Sequence, residues 1–222
     1  SVRVKDEDIM IFNYIFQKIK DKNNTGGKPI EDQNVINVLP TVAENESFLK
    51  GRFLKSSDFK TRVFAFKGPN GKNEKALLAF MDGLTDSDII NDSIIRPLMH
   101  GLHVLTPTAM NKKNKTEMIN EVLLSVGEIT VSGDLEEAIS GILNGDCAMF
   151  VEGSTECTII NSKGFEKRAV EQPSYDISMR GPRESFNENL RTNTSLLRRR
   201  VKNSKLTFDN MVVGRKTNTN LC

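Results

Sequence analysis

The segment from Asp134 to Gly145 constrains the fold more tightly than any other part of the chain. Asp134 stands as an N-cap with Glu137 at the reciprocal position, Leu135, Ala138, Ile139, Ile142 and Leu143 share one helical face, and Asn144-Gly145 closes the helix. Strand-length runs flank it, Ile129 to Val131 before and Cys147 to Val151 after. Helices that alternate with short apolar runs and hairpins, without strict βαβ succession, predict an α/β (mixed α+β) fold with mixed sheets flanked by helices.

The rest of the chain extends that pattern. Residues 9–19 are apolar nearly all round, a helix expected to dock on the body or on another molecule, with interfacial membrane contact the lesser alternative, and Asp21 to Pro29 has linker composition. Glu44 to Leu54 reads as a helix. Thr61 to Phe66 and Lys75 to Met81 read as strands of a hairpin turning at Gly68 to Asn73. A further helix is expected from Thr85, with Asp88 at the capping-box spacing and Ile90, Ile94 and Leu98 inward. The Lys-rich stretch Thr106 to Lys115 separates two periodic blocks, so three regions are expected: 1–33 as helix and linker, then two small subdomains at 34–112 and 113–222. In the second, Met118 to Val126 reads as helix, Thr158 to Asn161 as a strand and Phe165 to Val170 as its continuation. Phe80-Met81-Asp82-Gly83 and Phe150-Val151-Glu152-Gly153 echo one another, first as two strands that each close in a common acidic-Gly turn and second as a mark of two related units.

Composition narrows the function classes. With 37% apolar and 27% charged residues the chain is expected to fold, and no stretch approaches the ~18 apolar residues of a spanning helix. The polar start, Ser1 to Asp8, does not read as a secretory signal. Three cysteines do not make a disulfide framework and favour a reducing compartment; Cys147 and Cys157 read as small buried residues. No P-loop spacing occurs. His100 and His103 have no zinc-like cysteine spacing beside them, and Ser154 is not in a nucleophile elbow, so no catalytic residue, metal or cofactor is assigned and the chain is read as not an enzyme. Asp82, Asp86 and Asp88 cluster at a strand end and helix start, where capping is the first reading and a cation site the second.

Charge is unevenly distributed. From Lys163 onward there are 13 Lys and Arg against 6 Asp and Glu, whereas the first 162 residues carry 18 against 23. The segment Arg180-Gly181-Pro182-Arg183-Glu184-Ser185-Phe186 places Pro182 at a first helical position, Glu184 in the first turn, and Arg180 and Arg183 beside free backbone N–H groups, a combination suited to an anion. Beyond it, Phe186, Leu190, Leu197 and Val201 make a narrow stripe interrupted at Asn193 and Thr194. Arg191, Arg198, Arg199 and Arg200 surround that stripe as a basic face, open to solvent, to a protein or to lipid headgroups; the lack of interleaved aromatics argues against nucleic acid. Candidate ligand or interface residues are therefore Arg180, Arg183, Glu184, Arg191, Asn193, Arg198, Arg199 and Asp82.

Several of these segments resemble the A subunits of bacterial spore germinant receptors, the GerA family. They are Arg180 through Phe186, Leu190 through Arg200 and Val213-Gly214-Arg215-Lys216-Thr217, together with Ala76 to Leu84, Ile94 to Met99 and Leu143 to Asp146. Ser185 and Asn218 depart from the usual Gly and Lys, and the resemblance covers about residues 40–222. It implies the soluble N-terminal part of a spore inner-membrane protein, facing the core side, that acts with B and C subunits in nutrient sensing or signal transmission leading to germination. Self-association is also open. Because the chain stops at Leu221-Cys222, where the family continues towards membrane helices, it reads as part of a longer protein. The family brings no catalytic residues. The alternative is a module that binds an amino acid or sugar directly between two lobes, with Arg180 and Arg183 on a carboxylate.

Overall fold

Helix α1, Val42–Arg52, begins two residues earlier than its apolar spacing suggests, because Thr41 caps it. The Thr41 Oγ1 accepts the Glu44 N–H at 3.3 Å and donates to the Glu44 carboxylate at 2.6 Å. Phe53 follows and stacks on Phe59, ring centroids 4.3 Å apart, which turns the chain into strand β1, Phe59–Lys67. β1 folds back on β2, Asn73–Met81, in a register that pairs Phe59 with Met81 and Lys67 with Asn73.

The helix after β2 differs from its expected form. Thr85 does not cap it: its hydroxyl donates to the Met81 carbonyl at 2.8 Å, and the Asp86 carboxylate instead accepts the Asp88 N–H at 2.8 Å. Ile89–Ile95 is wound as a π-helix and runs directly into α2, Arg96–Gly101. The inward residues are nonetheless the expected ones, Ile90, Ile94 and Leu98, joined by Ile95. Further on come β3, Ile129–Ser132, α3, Leu135–Leu143, β4, Cys147–Val151, and β5, Cys157–Ile160. Asp134 caps α3 through the Glu136 N–H at 2.9 Å, while its own N–H goes to the Ser132 hydroxyl at 3.0 Å rather than to Glu137. Gly145 ends the helix at φ +93°. α4, Leu190–Arg200, and a separate hairpin of β6, Met211–Val213, and β7, Thr219–Leu221, complete the described elements.

The computed structural model describes residues 36–68, 72–101, 119–120, 127–164 and 186–222, all within a unit spanning Val35–Cys222 that is distinct from Ser1–Asn34. The expected helix at 9–19, the linker at 21–29, the boundary stretch at 106–115, most of the helix at 118–126 and the strand at 165–170 lie outside the described residues.

The main sheet runs β1-β2-β4-β5-β3. Every neighbouring pair is antiparallel, so the fold is mixed α and β as expected while the sheet itself is not mixed. The ladder of β2 against β4, from Ala76 opposite Val151 to Ala79 opposite Ala148, joins strands from both sides of the boundary expected near residue 112. β3 and β4 both pair with β5, which places β3, α3 and β4 as a split βαβ unit with β5 in the gap.

Both faces of this sheet are covered. Leu77, Ala79, Met81, Ala148 and Phe150 point into a core with α1 and α3, whereas Ala76, Leu78, Cys147, Met149 and Val151 point into one with the π-helix and α2. Burial on both faces explains why β2 and β4 are continuous apolar runs rather than alternating ones. It also pushes the pKa of the Cys157 thiol up to about 12, and that of Cys147 is raised in the same sense. The echo of Phe80-Met81-Asp82-Gly83 with Phe150-Val151-Glu152-Gly153 reflects two strands that each end in a left-handed glycine, Gly83 at φ +88° and Gly153 at φ +77°. Their surroundings differ: β2 arrives by a hairpin and β4 from a helix.

Candidate functional site at the β2 turn and the basic helix

A cleft of about 410 Å³ opens between the turn after β2 and α4, with Asp86, Ser87, Asp88, Arg191, Ser195 and Arg199 on its walls. Its floor depends on two close approaches. At Gly83 an added Cβ would lie 3.2 Å from the Ser195 Cβ, on a backbone already at positive φ, so only glycine lets α4 settle there. At Gly164 an added Cβ would come within 2.5 Å of the Asp86 Cα, and the same crossing is tied by Gly164 N–H to the Leu84 carbonyl at 3.0 Å and Asp86 N–H to the Ser162 carbonyl at 2.8 Å. Asp86 and Asp88 are thereby fixed at the head of the helix, on one wall.

The opposite wall is α4. Asn189 caps it by accepting from the N–H groups of Arg191, 3.0 Å, and Thr192, 3.3 Å. Asn193 is occupied structurally: its Oδ1 accepts the Asn187 N–H at 2.9 Å and its Nδ2 donates to the Asn187 carbonyl at 2.6 Å. Arg191 reaches across the cleft mouth, its Nη2 2.6 Å from Asp82 Oδ1, with both side chains substantially exposed. Arg199 lines the cleft further along the helix. Thus the structure brings together Asp82, Arg191 and Arg199 from the expected set and adds Asp86 and Asp88.

Arg198 is the main departure. Expected on a solvated basic face, it is 1% exposed, the largest fully buried side chain among the described residues. Its Nε donates to Asp58 Oδ2 at 2.9 Å, its Nη2 to Asp58 Oδ1 at 3.0 Å and to the Ser56 hydroxyl at 3.3 Å, and its Nη1 to the Asn203 carbonyl at 3.0 Å. The Phe208 ring lies under the guanidinium, 4.9 Å from its carbon. Phe208 is itself held by its N–H on the Ser56 hydroxyl, 2.8 Å, and by the Ser57 N–H on its carbonyl, 2.8 Å. Inward residues of α4 are therefore Thr192, Leu196 and Arg198, not the stripe through Leu190 and Leu197. A planar bidentate Arg on a carboxylate suits burial, since all polar atoms of the pair are engaged. The partners Ser56 and Asp58 sit about 140 residues away in sequence, so no local pattern marks them.

Arg180, Arg183 and Glu184 lie outside the described residues. Among the described residues no group of His, Cys, Asp or Glu side chains is arranged to hold a metal ion. A second hollow, about 590 Å³, lies between α1 and the β1–β2 hairpin, where Glu46 is held below the usual carboxylate range by hydrogen bonds from the Lys50 amine and the Thr61 hydroxyl.

The fold belongs to a known class. Residues 47–222 match the family described as Bacillus/Clostridium GerA spore germination protein, and the chain belongs to that family. Among its relatives, Spore germination protein KA of Bacillus subtilis is 30% identical over 216 residues, covering 91% of this chain and 38% of the relative. Spore germination protein GerLA of Bacillus cereus is 27% identical over 147 residues, covering 66% of this chain and 29% of the relative. The chain thus spans well under half the length of these curated relatives. The crystal structure of the N-terminal domain of the A subunit of the Bacillus megaterium spore germinant receptor GerK3 superposes with a TM-score of 0.64 at 23% identity, over 85% of this chain and 65% of that one, and shares the fold.

Proposed function

We propose that this chain is the N-terminal domain of a germinant receptor A subunit and that it transmits, rather than catalyses, the signal that starts spore germination. The observation that carries this reading is the unequal anchoring of α4. Its C-terminal end is locked by the buried Arg198–Asp58 pair, while its N-terminal half meets the β2 turn through the exposed Arg191–Asp82 pair across an open cleft. An exposed pair of this kind contributes roughly 0–1 kcal/mol, so the cleft mouth is the joint that a partner or ligand shifts at small cost. In this reading the domain works with B and C subunits in the spore inner membrane, on the core side, and passes movement of α4 to the rest of the receptor.

A second reading has its own support. Asp86 and Asp88 face Arg191 and Arg199 across the cleft, offering both signs of charge to a small polar nutrient. Charge reversal in spores carrying this receptor tests both readings, and nutrient titration separates them. Arg191→Glu should slow germination at least tenfold without lowering the melting temperature of the isolated chain, and Asp82→Arg in the same chain should restore it. If transmission is the role, nutrient titrated into the isolated chain leaves the amide resonances of residues 82–88 and 191–199 in place; saturable shifts there assign direct sensing instead. Normal germination by Arg191→Glu defeats both.

A further inference from the structure

Among the described residues only the helix after β2 is π-wound, and the reason lies at Pro97. Residues 89–95 form the π-helix and pass without a break into α2. Pro97, the second residue of α2, has no N–H, and in a continuous α-helix its ring would press on the carbonyl of Ser93, four residues back. A residue that precedes a proline also disfavours the helical region, yet Arg96 holds φ −60° and ψ −47°. The chain accommodates both constraints by widening the turns before the proline: the Arg96 N–H reaches back five residues to the Asn91 carbonyl. Two consecutive isoleucines, Ile94 at 0% and Ile95 at 6% exposure, face inward there.

We propose that residues 89–97 are a hinge between the acidic wall of the cleft and α2, and that Pro97 keeps this hinge loose. In the transmission reading, on which this rests, it is the element that yields. The head of the helix is tied by backbone bonds: Asp86 N–H to the Ser162 carbonyl at 2.8 Å, Gly164 N–H to the Leu84 carbonyl at 3.0 Å and Ile90 N–H to the Asp86 carbonyl at 3.2 Å. At the other end Leu98, 1% exposed, anchors α2 in the core. Between these anchors the wide turns lack one helical hydrogen bond, because residue 97 has nothing to donate. The rest of the connection is the apolar burial of Ile94 and Ile95, which has no preferred direction, and two contacts at the surface. Those are Arg62 Nη1 to Asn91 Oδ1 at 2.9 Å and Arg96 Nη2 to Asp92 Oδ1 at 3.1 Å, both of the weak, solvated kind. Ile90, Ile94 and Leu98, spaced by four, also share one face of an α-helix, so a change of winding keeps the three in the core while it shifts one end of the helix against the other.

The test is amide hydrogen exchange on the 222-residue chain, paired with germination of spores carrying the same substitutions in the receptor. The amides of Ile94, Ile95 and Arg96 should exchange at least tenfold faster than those of Ile139 and Ile142 in α3, whose side chains are buried just as deeply as the two isoleucines. Pro97→Ala supplies the missing N–H: exchange at 94–96 should slow at least tenfold, the new amide at 97 should be protected, the chain should melt no lower than the parent, and germination should slow at least fivefold. Pro97→Gly restores the N–H but not the stiffness, so it should keep fast exchange and near-parental germination. Protection at 94–96 equal to that of α3, exchange unchanged by Pro97→Ala, a lower melting temperature for that variant, or Pro97→Gly spores as slow as Pro97→Ala spores overturns the hinge. Slow germination by Arg191→Glu beside normal germination by Pro97→Ala also defeats the hinge and leaves the transmission reading standing. Fast exchange that Pro97→Ala slows, beside normal germination by Arg191→Glu, defeats that reading and not the hinge.

Discussion

Arg198 shows how one side chain can reverse its expected role. In sequence it is one of three consecutive arginines on a polar helix; in the structure it is the only one of the three that is fully buried, and four groups engage it. Burying a guanidinium without a partner is expensive, so the pair with Asp58 must form for α4 to pack at all. Removing one partner strands the other: Arg198→Ala or Asp58→Ala should each cost roughly 3–5 kcal/mol, measured by urea unfolding. The double variant Arg198→Met with Asp58→Leu should recover most of that loss, because hydrophobic replacement of a whole buried pair is often neutral. Single-variant losses below about 1 kcal/mol would show that the pair is not desolvated. The Arg191–Asp82 pair, exposed at the cleft mouth, belongs to the opposite regime, where a pair contributes roughly 0–1 kcal/mol.

At the scale of elements, α1 and α4 begin with the same device. Four residues after each N-cap, an asparagine turns its amide back on the residue six positions earlier: Asn45 accepts the Leu39 N–H at 3.1 Å and donates to the Leu39 carbonyl at 2.6 Å, as Asn193 does with Asn187. Each amide satisfies both backbone groups of one residue and fixes the angle at which the chain enters the helix. Asn45 is 1% exposed and also donates to the Thr41 carbonyl, whereas Asn193 is half-buried. Asn45→Ala should therefore cost about 2–3 kcal/mol and Asn193→Ala only about 1 kcal/mol, the difference being read from denaturation midpoints. Asn193 thus belongs in the candidate set because it sets the angle of α4, not because it faces the cleft with a free amide.

For the molecule as a whole, the sheet joins segments that the sequence keeps apart, and the C-terminal region divides into a part that holds it and a part that does not. Phe208 and Ser204 are buried against the body, while everything from Asp209 is exposed. A chain ending at Asn210 should melt within about 2 °C of the 222-residue chain, since it loses no buried side chain. One ending at Val201 should melt roughly 5–10 °C lower, because Arg198 loses the Asn203 carbonyl and the Phe208 ring together. Similar melting of both truncations would show that residues 202–210 do not brace the Arg198 pair.

Local chemistry determined much of this protein. The cap at Asp134, the left-handed glycine at Gly145, the inward Ile90, Ile94 and Leu98, and the strand-length runs of β2 and β4 all follow from interactions within a few residues, so they could be read from the chain. Ile159 and Gly141 show the limit even there, for the glycine's contact with that side chain across the layers has no local signature. The cap at Asp86, the order and antiparallel sense of the strands, and the burial of Arg198 depend on Ser162, on β5 and on Asp58, far off in sequence. An arginine's sequence neighbours report its charge; whether that charge meets water or a carboxylate is decided only when the tertiary structure brings the carboxylate to it.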